Sequence, residues 1–133
     1  MKAFAIAASL ASAASAAGAV QASKVCVSNM GGYDLNWWME DLLTGNESNN
    51  SGNYPIDKMR CADIEIEGLQ EGDFLEVMVH AVLGVTKAAN TAVIYRSDPP
   101  TTVTYSCNGT TLNFSCTLNG TFVYPSAEEV SLQ

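Results

Sequence analysis

The chain reads as all-β: an antiparallel β-sandwich of seven or eight strands, stapled by two disulfides. Three observations predict it. Apolar residues recur at every second position in several segments, the period of a half-buried strand. Turn-forming residues separate those segments at short spacing, which suits a sandwich of about 100 residues. Four cysteines, Cys26, Cys61, Cys107 and Cys116, supply the covalent support that a small core benefits from.

Residues 1–22 read as a secretory signal peptide. Lys2 gives the positive start, Ala3 to Ala17 carries no charge, and Val20-Gln21-Ala22 offers small or apolar residues to signal peptidase. Cleavage is expected after Ala22. An Ala-rich helix of the folded protein is the alternative. The leader is too short and small-sided for a good membrane span, and no later apolar run approaches about 18 residues, so a soluble product is expected. Residues 23–125 then form a single domain, and 126–133 a polar tail.

Lys24 to Asn29 is the first expected strand, closed by the turn Met30-Gly31-Gly32. In the second, Tyr33, Leu35, Trp37 and Met39 alternate with Asp34, Asn36, Trp38 and Glu40. Adjacent tryptophans on a strand point to opposite faces, so Trp37 enters the core and Trp38 faces outward. One helical turn over Trp37 to Leu43 is the competing assignment. Thr44 to Asn53 is a polar loop, after which Ala62, Ile64 and Ile66 alternate with Asp63, Glu65 and Glu67.

Beyond the turn at Gln70 to Asp73, Leu75, Val77, Val79 and Ala81 alternate with Glu76, Met78 and His80. Lys87 to Asn90 is a connection, and Asp98-Pro99-Pro100 breaks pairing because proline has no amide donor. Val103, Tyr105 and Cys107 share one face, as do Leu112, Phe114, Cys116 and Leu118. Asn108-Gly109 and Asn119-Gly120 are favourable type I′ hairpin turns. A slip of one residue would expose each apolar set, so register is well specified.

The cysteines show no Cys-x-x-Cys spacing and His80 is the sole histidine, which excludes the common zinc motifs. Four cysteines permit three pairings. Cys107–Cys116 across neighbouring strands, with Cys26–Cys61 tying the first strand to mid-chain, is preferred. Asn-x-Ser/Thr acceptors stand at Asn46, Asn49, Asn108, Asn113 and Asn119, where roughly two would arise by chance. That excess points to N-linked glycans, a eukaryotic secretory route and an extracellular product. Six basic residues face 14 acidic ones, a net charge of −8. This field repels phosphate backbones and anionic lipid, so nucleic acid is excluded as a partner.

Asn29-Met30-Gly31-Gly32-Tyr33, then Ser51-Gly52-Asn53, then Gly109-Thr110-Thr111-Leu112-Asn113 follow one order along the chain. In that order the chain resembles the carboxy-terminal β-sandwich domain of the cholesterol-dependent cytolysins and related free-standing small domains. By that resemblance, Thr111 and Leu112 match the Thr-Leu pair with which the family senses membrane sterol. The family's Trp-rich undecapeptide has no counterpart here and no pore-forming region is present, so lysis by this chain alone is not implied.

No residue is assigned a catalytic role. A triad would need Ser106 or Ser115 beside His80, and no Gly-x-Ser-x-Gly elbow marks either serine. Asp63, Glu65, Glu67, Glu71, Asp73 and Glu76 are carboxylates of the kind that hold calcium or act as a glycosidase pair. No EF-hand spacing is present, and a solvated sheet face is the simpler assignment. No cofactor or metal is expected. Trp38 is the foremost contact residue, with Val82, Leu83 and Val85 extending an apolar patch. The composition therefore suits a secreted glycoprotein that assembles with itself or with other extracellular proteins into a filament or coat. A module for glycan or neutral, sterol-containing membrane is the alternative, using Trp38, Thr111 and Leu112.

Overall fold

The computed structural model describes residues 18–123, and every regular element within them is a strand. These are β1 (Ala19–Ala22), β2 (Lys24–Asn29), β3 (Leu35–Asp41), β4 (Lys58–Asp63), β5 (Phe74–Ala81), β6 (Thr86–Ala88), β7 (Ala92–Tyr95), β8 (Thr101–Thr110) and β9 (Asn113–Val123). One sheet has five strands in the order β1-β7-β5-β3, with β6 also paired to β5; the other has the order β4-β2-β8-β9.

Both sheets are mixed, which corrects the expected purely antiparallel arrangement of seven or eight strands. β1 runs parallel to β7, and β2 runs parallel to β8 with Lys24 opposite Thr102 and Asn29 opposite Cys107. Alternation fixes which face of a strand is buried but is the same for either direction of pairing. No tight turn joins these distant segments, so nothing local dictates that direction.

The inward face of each sheet follows the expected period of two. Leu35, Trp37 and Met39 on β3 and Leu75, Val77, Val79 and Ala81 on β5 join Val25, Val27, Val103 and Tyr105 of the other sheet in one apolar cluster. Trp37 is 2% exposed while Trp38 is half-buried on the outer face, and the stretch stays extended rather than forming a helical turn. Burying a side chain of that size removes enough apolar surface to make Trp37 a principal stabilising group.

β3 lies at a sheet edge yet carries the largest buried side chain, so its outward backbone groups need cover. The 46–54 segment provides it. Asp41 N donates to Asn46 O (2.9 Å), Ser48 N to Met39 O (2.8 Å), Ser51 N to Trp37 O (2.8 Å), and Leu35 and Tyr54 exchange both bonds. Two hydroxyls complete the row: Met39 N donates to Ser48 Oγ (2.9 Å) and Trp37 N to Ser51 Oγ (3.0 Å). These serines are also the third residues of the sequons at Asn46 and Asn49.

Both disulfides join residues that stand directly opposite in the four-stranded sheet, Cys26 to Cys61 and Cys107 to Cys116. Each edge strand is thereby stapled to its inner neighbour. The Cys107–Cys116 register also corrects the hairpin turn. Thr110 pairs with Asn113, so the turn is Thr111-Leu112; Asn108-Gly109 sits inside β8, and Asn119-Gly120 sits inside β9 at a register shift. Opposition of the two cysteines centres the hairpin between 111 and 112 and overrides the local Asn-Gly preference. A second correction concerns Ile64 and Ile66: both are buried, but β4 ends at Asp63 and they lie on an irregular crossing segment.

The tail 126–133 and residues 1–17 of the expected leader lie outside the described residues. β1, however, falls before the expected cleavage point after Ala22.

The edge cover makes a measurable demand. Ser48→Ala and Ser51→Ala each leave a half-buried amide without an acceptor, so each is expected to cost about 1–3 kcal/mol in chemical denaturation. Asn46→Gln and Asn49→Gln remove the same sequons while keeping the serines, and are expected to cost less. Equal losses in the two sets would show that sugar attachment, not edge pairing, is what the serines serve.

Candidate functional site

Three loops meet at one end of the molecule. Asn29, wholly buried at the end of β2, fixes the first: its Nδ2 donates to Tyr33 O (2.6 Å) and Tyr54 O (3.1 Å), and its Oδ1 accepts from Gly31 N (3.0 Å). Met30 N and Gly32 N then donate to Cys107 O and Gly109 O, tying this loop to the β8–β9 hairpin. The β5–β6 turn reaches both others, through Val82 N to Asp34 O (2.9 Å) and Val85 N to Thr111 O (3.1 Å). Gly84 packs so closely on the Thr111 carbonyl that a Cβ there would collide with it. Gly109, at φ +117°, is likewise closed to a side chain by Asn113 and Phe114.

This frame gathers apolar side chains at the tip. Leu83 is 94% exposed, Leu112 71% and Met30 47%. Leu83 also has φ +67°, a left-handed conformation that costs a branched residue roughly 1–3 kcal/mol. The tight turn, with Gly84 N donating to Ala81 O and Ala81 N to Val85 O, holds it there. Asparagine or glycine would suit both the backbone and the solvent better.

Of the expected contact residues, Thr111 and Leu112 are at this tip and Trp38 is not. Trp38 lies along β3 opposite Met78, which is in turn opposite Ala88, in a row across the outer face of the five-stranded sheet. Leu112 departs from the expected core face shared by Phe114, Cys116 and Leu118, because it occupies the turn itself. The approach of the β5–β6 turn to the β8–β9 turn escaped the sequence for the same reason. The midpoint between Cys107 and Cys116 was the signal that could have placed it.

Among the other candidates, His80 Nδ1 contacts Thr86 Oγ1 (2.9 Å) in the five-stranded sheet, whereas Ser106 and Ser115 belong to the other sheet; no triad is assembled. Among the described residues no group of three or more His, Cys, Asp or Glu is arranged to hold a metal ion. The acceptor asparagines Asn46, Asn49, Asn108, Asn113 and Asn119 are all exposed. A cleft of about 270 Å³ opens between the 46–54 segment and β4, lined by Trp37, Met39, Ser48, Ser51, Arg60 and Asp63 among others, with Asn49 also at its wall. Arg60 is committed within it, donating to Ser51 O (2.6 Å) and lying 5.0 Å over the Tyr54 ring.

The acidic series is not uniformly solvated. Asp73 is 5% exposed and meets Asp41, which is fully buried, at the opposite strand ends of β5 and β3. Asp41 Oδ1 accepts from Leu43 N (2.9 Å) and Thr44 N (3.4 Å), but its buried Oδ2 has no donor in the protein. Burial raises the pKa of Asp73, the hydrogen bond and charge of Asp41 raise it further, and the Gln70 N–H opposes them. A proton on Asp73 would be shared with the Asp41 carboxylate through that hydrogen bond.

The two disulfides are compatible with an extracellular, oxidising environment. No protein-family model, curated protein or solved structure matches this chain.

The carboxyl pair has a defined pH signature. Because the folded chain holds the Asp73 proton more tightly than the unfolded chain, this stabilisation is complete below the ordinary value of 3.8 and is lost as pH rises through the higher folded value. Asp73→Asn, which stays neutral, is expected to melt higher than the parent near neutral pH, with the gain vanishing below about pH 4. A variant that melts lower by the same amount at both pH values would exclude a shared proton.

Proposed function

We propose that this chain is a secreted, N-glycosylated interaction protein of the extracellular space that makes its contacts through the Met30–Leu83–Leu112 tip, with association between copies as the first mode. The observation that carries this reading is Leu83, an almost fully exposed leucine in a left-handed backbone, on a turn packed against the one that carries exposed Leu112. Exposed large apolar groups gathered on adjacent rigid loops are a common basis of protein contact. Association through an apolar tip requires no catalytic group or metal. Asn108 and Asn113 flank the β8–β9 turn, so a glycan at either would restrict the approach of a protein partner and hold the tip away from a bilayer.

A second reading uses the same end of the molecule. Thr111 and Leu112 form the hairpin turn, in keeping with the resemblance to the sterol-sensing β-sandwich of the cytolysins. Neutral sterol-containing membrane is then the partner, since the strong negative charge disfavours anionic lipid.

Sedimentation velocity and vesicle flotation separate these readings. The parent is expected to associate as concentration rises, and Leu83→Asn and Leu112→Asn to remain monomeric. Leu83→Asn is also expected to be more stable by about 1 kcal/mol, because asparagine tolerates the left-handed backbone. A parent that stays monomeric but floats with phosphatidylcholine–cholesterol vesicles, losing flotation in the same variants, would favour the membrane. A monomer that neither floats nor responds to the substitutions would remove the tip from consideration.

A further inference from the structure

We infer that leader removal occurs between Ala17 and Gly18, so that β1 belongs to the mature protein. This rests on the secretory reading and changes its processing site from the bond after Ala22.

The strand β1 is an edge strand joined to the five-stranded sheet through β7 and to the core through its apolar residues. Its four residues pair in parallel with β7, Ala19 opposite Ala92 through Ala22 opposite Tyr95. Val20 packs against the apolar cluster and Ala22 is fully buried. Ala22 O accepts from Arg96 N (3.0 Å), the amide that follows the end of β7. β7 itself reaches β5 through only two residue pairs, Phe74 with Ile94 and Leu75 with Val93. A cut after Ala22 would therefore strip the longer of the two pairings from a strand whose Val93 is completely buried.

The junction after β1 points the same way. Ser23 carries the chain from one sheet to the other, and its neutral amide donates to Thr101 O (2.9 Å) while Ser23 Oγ accepts from Thr101 N (3.2 Å). Its carbonyl accepts from Ile64 N (3.0 Å). Cleavage after Ala22 would turn that amide into an α-ammonium in a half-buried position next to Lys24, which is itself 9% exposed. Charge placed there loses hydration that a neutral amide does not need.

The sequence upstream satisfies the same protease rule without that damage. Ser15 and Ala17 put small residues three and one positions before the Ala17–Gly18 bond, and Ala3 to Ala14 remains as an uncharged core of suitable length behind Lys2. Gly18 is then the new amino terminus, immediately ahead of the first paired residue, Ala19.

The test is intact mass and amino-terminal sequencing of the full chain secreted by a eukaryotic host, after removal of N-glycans. A terminus at Gly18 is expected. Ala17→Gln should abolish that terminus. Secreted protein beginning at Ser23 overturns the inference while leaving secretion intact; an uncleaved chain retained in the cell with bare asparagines overturns both. Ala17→Gln protein that still begins at Gly18 would show that the small residue before the bond does not direct the cut, and would also overturn the inference.

Discussion

The architecture depends on satisfying the backbone of an edge strand that has been given a core residue's work. β3 contributes Leu35, Trp37 and Met39 to the interior, but only β5 pairs with it in the sheet. An open edge so close to the core would admit water and invite pairing with another chain. The 46–54 segment closes it without becoming a full strand. It uses main-chain bonds where its path allows and serine hydroxyls where its own carbonyls face elsewhere. Its reach to Tyr54 then connects the edge with the centre of the fold, because the Tyr54 hydroxyl donates to Val27 O (2.7 Å) on β2.

Much of this was legible because burial leaves a period-two record. Trp37 inside and Trp38 outside and the four inward residues of β5 follow from face and spacing alone, and the preferred one of three possible cysteine pairings is the one present. What alternation cannot encode is the identity and direction of a neighbour. The parallel pairing of β2 with β8 joins segments far apart in sequence, and β7 and β6 are too short to give a periodic signal. Ile64 and Ile66 mimic strand alternation while crossing between the sheets, because burial rewards their faces whether or not a ladder is present.

The candidate site was legible residue by residue but not as an assembly. Leu83 stood out as apolar sequence beyond the β5 pattern, and Thr111-Leu112 stood out by resemblance. Their proximity depends on the hairpin register and on Gly84 accepting the Thr111 carbonyl at close range, both of which are properties of the folded chain. The Asp41–Asp73 pair was hidden for a related reason. Asp41 ends β3 and Asp73 immediately precedes β5, and a carboxylate in an acidic stretch looks solvated until those strand ends are brought together.

The placement of the two disulfides divides the molecule mechanically. Both lie in the four-stranded sheet, closing sequence separations of 35 and 9, so those strand pairs stay close even when the chain is denatured. The five-stranded sheet contains neither disulfide and is held to its neighbours by pairing and packing alone. Trp37 and Trp38, the chain's two tryptophans, both reside there. Intrinsic fluorescence is thus a built-in reporter on the sheet without disulfides, with Trp38 on its outer face and Trp37 at its packing contact with the stapled sheet.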